Sequence, residues 1–477
     1  MTAPFASLRL SSWKMIPLSA ALFIAAFSNP IDSYAAPAAA PIVQQVNSSA
    51  SSTVTDSDNQ LTYLKDRFNI QLSSTPTKRE YIVALATVLN LNSSSTASAD
   101  KNTAFRGLNS NDPLYAQAAA LYAEGILDNT DVKPSVPLSQ NDAIRIAAKA
   151  AGLTELAATY SEDKAQAVLT KSGIRTLTGT AETRLAASQD LAVAVDTGLL
   201  PQSELSSFQP EEQADASFTA EVLSRVLAFH GEYKNTVGQV QDDDIFAKIH
   251  QAYDTQILVQ SPELQALFDA GLQQNLFTGY NIKDSRYDAH FDPKLSLTYG
   301  HSDLKHAIQL IGLLRSEGIQ AKVQLEPKTS AFVYLKEWGQ PVQTENYRVV
   351  QINNGNYIAY SKEYDLALEF ATIGQKNRFD TIINQYAKKN SKDQAGLIAQ
   401  SWWQPLYYSL SSPGSAYTEI ANNRVSAGRY YAQSFSLTDK ASSITDGLRK
   451  IKPGVEVESY HFWVDAPFYR YLNGEAQ

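Results

Sequence analysis

Three stretches of this chain repeat one pattern, and the repeat limits the fold more than any other feature. Each stretch has a helix, then Gly or Asn followed by an aliphatic residue, a polar loop and a second helix. The first carries Phe68-Asn69-Ile70 and then Thr77-Lys78-Arg79-Glu80-Tyr81-Ile82. The second carries Gly125-Ile126-Leu127, Pro134 and Ser139-Gln140-Asn141-Asp142-Ala143-Ile144. The third carries Gly198-Leu199-Leu200, Phe208, Pro210 and Phe218-Thr219-Ala220-Glu221-Val222-Leu223. One helix pair of this size cannot bury its own apolar face, so its recurrence implies modules that pack on one another. Such a pattern points to attachment rather than to chemistry.

The second helices show the period expected of one buried face. Tyr81, Ala84, Leu85, Val88 and Leu89 recur at spacings of three and four, as do Ile144, Ala147, Ala148 and Ala151, and Val222, Leu223, Val226 and Leu227. Thr77-x-x-Glu80 fits a capping box, in which hydroxyl and carboxylate each satisfy a free backbone N–H. Ser139-x-x-Asp142 is a shorter version, while the third copy has Phe218 where the hydroxyl should stand. Gly125 and Gly198 are expected to end their helices in the left-handed conformation, with Asn69, the next best residue for it, at the matching point. The modules are expected at about residues 60–95, 104–153 and 185–233, with an insertion around Ala157 to Thr183 absorbing their irregular spacing.

The 477 residues suggest two to four domains. A formal charge of −9 argues against a general nucleic-acid surface, which needs concentrated basic residues. The chain has no cysteine, which excludes disulfides, thiolate zinc sites and Cys nucleophiles. Arg9 and Lys14 precede an apolar run from Met15 to Phe27 and a small-residue site at Ser33-Tyr34-Ala35. That order predicts a secretory signal peptide over 1–35. The run is shorter than the ~20 apolar residues of a spanning helix. No later stretch is long and apolar enough, so the expectation is a secreted protein of the cell wall or cell surface with no transmembrane anchor in the mature chain. Residues 36–59, rich in Ala, Ser, Thr and Pro, read as a flexible linker.

Asp242-Asp243-Asp244 marks a boundary near residue 240, beyond which Tyr, Trp and β-branched residues increase. Ile245 to Asn275 reads as helical, and Ser302 to Arg315 as an amphipathic helix stopped by Gly318. Ala321–Leu325, Ala331–Leu335, Tyr347–Ile352 and Tyr357–Ser361 read as strands, the last two joined through the turn signal Asn353-Asn354-Gly355. More helices and an aromatic-rich tail follow. The expected fold is therefore multidomain: an all-α three-module bundle over 60–235, then an α+β domain over 240–477.

On these residues, the front half resembles S-layer homology modules, which come in threes on proteins held at bacterial cell surfaces. Thr77-Lys78-Arg79-Glu80 stands where that family has a Thr-Arg-Ala-Glu-like motif, and Phe105 and Tyr115 stand where the second module would begin. The resemblance implies a pseudo-trimeric bundle whose grooves bind anionic secondary cell-wall polysaccharide. It places the binding positions at Lys78, Gln140 and Thr219, with Arg79 beside the first; only the first retains charge. Lys78 and Arg79 equally suit a solvated first helical turn. More faintly, residues 296–366 resemble a transglutaminase-like, papain-like core. That family opens its long helix with Cys, and here Ser302 stands near that point with no His in Ser330 to Trp338. A Ser without a base is a poor nucleophile, so Ser302 reads as a helix cap and the domain as non-catalytic.

His301-x-Asp303-x-x-His306 invites a metal, but on one helix residues 301 and 306 would sit about 140° apart. Asp288, His290 and Asp292 fit a loop or short strand better than a ligand set. No metal or cofactor is expected. Trp402-Trp403-Gln404-Pro405-Leu406-Tyr407-Tyr408, Tyr460-His461-Phe462-Trp463 and Phe468-Tyr469-Arg470-Tyr471 suit either core packing or a sugar-stacking platform. The expectation is an exported surface protein attached non-covalently to wall polysaccharide, its C-terminal domain contacting another glycan or a surface protein. The alternatives are a wall-remodelling hydrolase or transglutaminase-like enzyme, and a structural surface-layer component.

Overall fold

The computed structural model describes residues 56–91, 105–175, 180–255, 258–341, 343–352, 355–386, 406–414 and 416–475. The signal-like segment, most of the expected linker and Trp402 to Pro405 lie outside them. Residues 56–59, expected as linker, form the first turn of a helix.

The front half contains α1 (Asp56–Phe68), α2 (Lys78–Val88), α3 (Leu114–Ala123), α4 (Gln140–Ala150), α5 (Thr154–Ala158), α6 (Glu162–Lys171), α7 (Ala181–Asp196) and α8 (Ala216–Phe229). Three pairs, α1–α2, α3–α4 and α7–α8, are the repeated units, and α5 and α6 are the insertion. Asn69, Gly125 and Gly198 all take positive φ, at 55°, 70° and 74°, so the chain reverses the same way after each first helix. The second helix of each unit packs on the first helix of the next: α2 on α3, α4 on α7, α8 on α1. The loops close the same ring. Lys78 N–H donates to Val136 and Arg79 N–H to Pro134; Gln140 N–H donates to Glu212 and Asn141 N–H to Pro210; Ala216 N–H donates to Ser74. Its core is aliphatic and rich in alanine, with Leu85, Ala118, Leu121, Ala143, Ile144, Ala147, Leu191, Val222 and Leu223 fully excluded from solvent.

The C-terminal half corrects the expected architecture. It is not the expected α+β domain, transglutaminase-like or otherwise, but is built around a closed antiparallel β-barrel. In chain order it contains β1 (Gly238–Gln239), α9 (Ile245–Asp254), α10 (Pro262–Gln273), β2 (Gly279–Asp284), β3 (Ser296–His301), α11 (Leu304–Ser316), β4 (Ala321–Tyr334), β5 (Tyr347–Gln351) and β6 (Tyr357–Phe370). There follow α12 (Ile373–Tyr386), β7 (Leu406–Ser409), β8 (Tyr417–Ala427), β9 (Tyr430–Ser436), α13 (Ala441–Ile451), β10 (Glu458–Asp465) and α14 (Ala466–Leu472). Among the described residues, eight strands run in the order β4-β2-β9-β8-β10-β7-β3-β6, and β6 pairs back onto β4. All these pairings are antiparallel, so the sheet is a closed barrel; β1 and β5 add to it at β4 and β6.

Six of the eight barrel strands, β2, β3 and β7 to β10, lie where the sequence reading places no strand, and the two it does reach, β4 and β6, it cuts short. Ala321–Leu325 and Ala331–Leu335 are one strand, β4, running through Glu326-Pro327-Lys328. Proline there costs little, because 324–327 falls between the β1 register at 322–323 and the β2 register at 328–332. The strand expected to end at Ser361 runs on to Phe370 through Lys362, Glu363 and Asp365. In a barrel alternate residues face a lumen that can hold charge, so Lys362, Glu363 and Asp365 do not end the strand.

The barrel is coated outside by helices. Leu297, Tyr299, Val323, Leu325, Tyr364, Leu366, Leu368 and Phe370 pack under α9, α11 and α12. Tyr280, Ile282, Ile358, Tyr360, Val425 and Ala432 pack under α10 and α13. The C-terminal α14 brings Phe468, Tyr469 and Leu472 against Ile420, Phe462 and Val464 at one end. At the other end stands the helical half: Tyr63 donates to the His290 carbonyl at 2.9 Å, Lys234 pairs with Glu369 at 3.0 Å, and Asp66 pairs with Lys294. Among the described residues, no helix is long and apolar enough to cross a membrane.

Candidate functional site

Two places gather polar side chains: the seams of the helical ring and the lumen of the barrel. At the first seam Thr77 caps α2 with both halves of the capping box, its hydroxyl accepting from Glu80 N–H and its own N–H donating to Glu80 at 2.8 Å. Lys78 pairs with Asp142 of the next unit at 2.7 Å. Arg79 forms two parallel bonds to Asp112, at 2.8 and 2.6 Å. That charge-assisted bond and the Leu114 N–H hold the Asp112 carboxyl down at about 2. Both cations thus already have carboxylate partners across a module boundary. At the second seam, Gln140 accepts from Gln209 N–H at 2.9 Å through its side chain.

Thr219 does not belong with them. The cap of α8 is Asp215, which accepts from Phe218 N–H at 2.8 Å. Aligning the caps Thr77, Ser139 and Asp215 puts Ala216, not Thr219, opposite Lys78 and Gln140. Thr219 is fully buried and its hydroxyl donates back to the Asp215 carbonyl. The sequence pattern slips by three residues because it sets Phe218 at the cap position, whereas Asp215 performs the capping. The N–H groups opening α2 and α4 are also taken by neighbouring loops, which leaves those helix ends little to offer an anion.

The lumen is denser in charge. Strand register brings Glu326 opposite Asp365, Lys328 opposite Glu363 and Lys283 opposite both Lys328 and Tyr431. Lys283 binds Glu326 and, at 3.0 Å, Asp365. Lys328 reaches the other Asp365 oxygen at 2.7 Å, and Tyr408 donates to Asp365 at 3.1 Å. Burial alone would raise Asp365, but the two lysines hold it at about 2. Glu363 has weaker compensation: burial pushes it up to about 7 against Lys328 and a 2.6 Å bond from Ser330.

Above this floor is a cavity of about 180 Å³, lined by Lys283 and Glu326 at its base and by Asp288, His290, Asn422, Arg424, Tyr431 and Tyr460 around its wall. Arg67 of α1 also lines it, so both halves of the chain build the space. His290 takes φ 50° in the Asp288–Pro293 loop and meets Arg67 Nη2 through Nδ1 at 2.7 Å. Burial, aided by the Arg67 and Arg424 charges, lowers the His290 imidazole to about 4. Asp288 accepts from Tyr431 at 2.7 Å, and Arg424 lies over the Tyr431 ring at 3.8 Å. Ser330 and Glu363 do not line the cavity, so this hydrogen-bonded pair does not meet a ligand there.

The remaining sequence candidates separate. Ser302 is not the cap of α11; Asp303 is, accepting from Lys305 N–H. His301 lies at the end of β3 rather than on the helix, and its ring sits 4.3 Å from that of His306. The helical argument for keeping them apart therefore rested on a wrong premise. Both are buried, and burial lowers His301 to about 3. The aromatic tail is split by strand alternation: Phe462 joins Tyr408 and Phe435 inside the barrel, with Tyr460 lining the cavity above them. Asp292 accepts from Lys294 N–H and serves its own loop.

Sequence reasoning missed Lys283, Glu326, Lys328, Glu363, Asp365 and Arg424. The signal was present in Glu363-x-Asp365-x-Ala367-x-Glu369 interleaved with Tyr364, Leu366, Leu368 and Phe370. Period two was legible, but such a pattern ordinarily means polar side out. No family model, no curated protein and no solved structure matches this chain.

Proposed function

We propose that this is an exported bacterial cell-surface protein, held non-covalently on secondary cell-wall polysaccharide through its three helical modules, as the S-layer homology resemblance implies. The observation that carries this is the cyclic closure of the three units, each second helix on the next first helix, with loop-to-helix bonds repeated around the ring. A ring of like units presents like seams, and a polymer of repeating sugars matches repeated seams better than a single pocket. The first seam is the richest in cations. A polymer carboxylate there exchanges with Asp142 for Lys78 and with Asp112 for Arg79. The barrel is the non-catalytic, interacting part of the molecule.

Pull-down of the full mature chain by cell-wall sacculi tests this, before and after chemical removal of the secondary polymer. Binding should be strong to intact sacculi and lost on stripped ones. The double variant Lys78→Ala/Arg79→Ala should bind several-fold more weakly. Retention on stripped sacculi overturns the proposal; unchanged binding of the double variant moves the contact away from that seam.

A further inference from the structure

The Arg424 guanidinium makes no hydrogen bond and no ion pair with any described residue; its contact is the Tyr431 ring. It is half-buried and lines the luminal cavity. A cation withdrawn from water without a carboxylate is costly, and arginine's planar fork is shaped for one. Glu326 is taken by Lys283 and the Ala289 N–H; Asp288 accepts from Tyr431 and feels the Lys283, Arg424 and Arg67 charges, but no hydrogen bond joins it to Arg424. Arg67, which also lines the cavity, spends one nitrogen on His290 and leaves its buried Nε unmet. Asn422 gives its amide hydrogens to Gln433 and Tyr460, and its carbonyl oxygen is unmet as well.

We propose that the barrel lumen is a binding site for one small hydroxylated carboxylate, its acid group taken by Arg424 and Arg67 and a hydroxyl donated to Asn422. A cavity of about 180 Å³ suits a small molecule. Tyr431, Tyr460 and Phe462 supply ring faces for the carbon skeleton. Because Arg67 comes from α1 and Arg424 from β8, the ligand also ties the two halves of the chain together. This site is independent of wall attachment, and either can fail without the other.

Isothermal titration of the full mature chain with glucuronate, lactate, glucose and inorganic phosphate tests the site. Glucuronate or lactate should bind one per chain, and glucose should not. Arg424→Gln and Arg67→Gln should each weaken binding about tenfold or more while the unfolding temperature of the unliganded chain stays close to the parent's. Should Arg424→Gln fail to fold, Arg67→Gln decides, since Arg67 is partly exposed and stands on α1, outside the barrel strands. Absence of binding by both acids overturns the proposal, as does binding that neither variant weakens. Binding of phosphate without either acid overturns the carboxylate assignment.

Discussion

The helical ring and the barrel bury their interiors by opposite means. In the ring, Ala118, Leu121, Ala143, Ala147, Leu191 and Val222 meet by shape, and polar groups stay at the seams. In the barrel, apolar residues face outward beneath helices while Lys283, Lys328, Glu326, Glu363 and Asp365 fill the inside. The bonds that cap the ring's helices are local: Thr77 and Glu80 lie three residues apart. The barrel's are not: Lys283 and Asp365 lie 82 apart. Trimming the aliphatic core costs in proportion to the cavity left, whereas a buried ion network fails when one member leaves its partners unpaired.

The largest expected effect tests that contrast directly. Lys283→Met leaves Glu326 and Asp365 short of a buried partner and should cost ~3–5 kcal/mol by urea unfolding; a loss below about 1 kcal/mol would break the comparison. Next comes a cap in the ring. Asp215→Ala removes the bond to Phe218 N–H and should cost ~1 kcal/mol, with Asp215→Asn recovering most of it. Equal losses in the two variants would mean that the charge, not the cap, matters.

The smallest effect concerns the joint between the regions. His290 is held at about 4, below its ordinary value of 6.5, so the folded protein binds fewer protons than the unfolded chain between those values. Its contribution is present above pH 6.5 and is lost as pH falls toward 4. His290→Asn keeps a residue that tolerates positive φ and removes the titration. The drop in unfolding temperature from pH 7 to pH 4.5 should be shallower in this variant. A parallel drop in both proteins would assign the acid sensitivity to the other buried histidines, His301 and His306, whose imidazoles burial also lowers.

Local chemistry made the front half legible. The capping box at Thr77, the reversals at Asn69, Gly125 and Gly198, and the three-and-four spacing of Ile144 or Val222 each involve residues within one turn or loop. The slip at Thr219 arises from aligning the copy on Phe218, three residues past the Asp215 that caps the helix. The luminal site was not legible, because Arg67, Lys283, Asp365 and Arg424 are brought together only by barrel closure. The strands that carry them alternate plainly, yet alternation is the same for a sheet with its polar face in water and a barrel with its polar face inside.

The sequence by itself determined the helix pairs, the reversals at Asn69, Gly125 and Gly198 and the caps Thr77 and Ser139, since these depend on neighbours a few residues apart. Only the tertiary structure decided that β6 returns to β4 and that charge lies within. It also decided that α1 lends Arg67 to the same cavity. Closure joins residues far apart in the chain, and no periodicity records which face of a strand ends up inside.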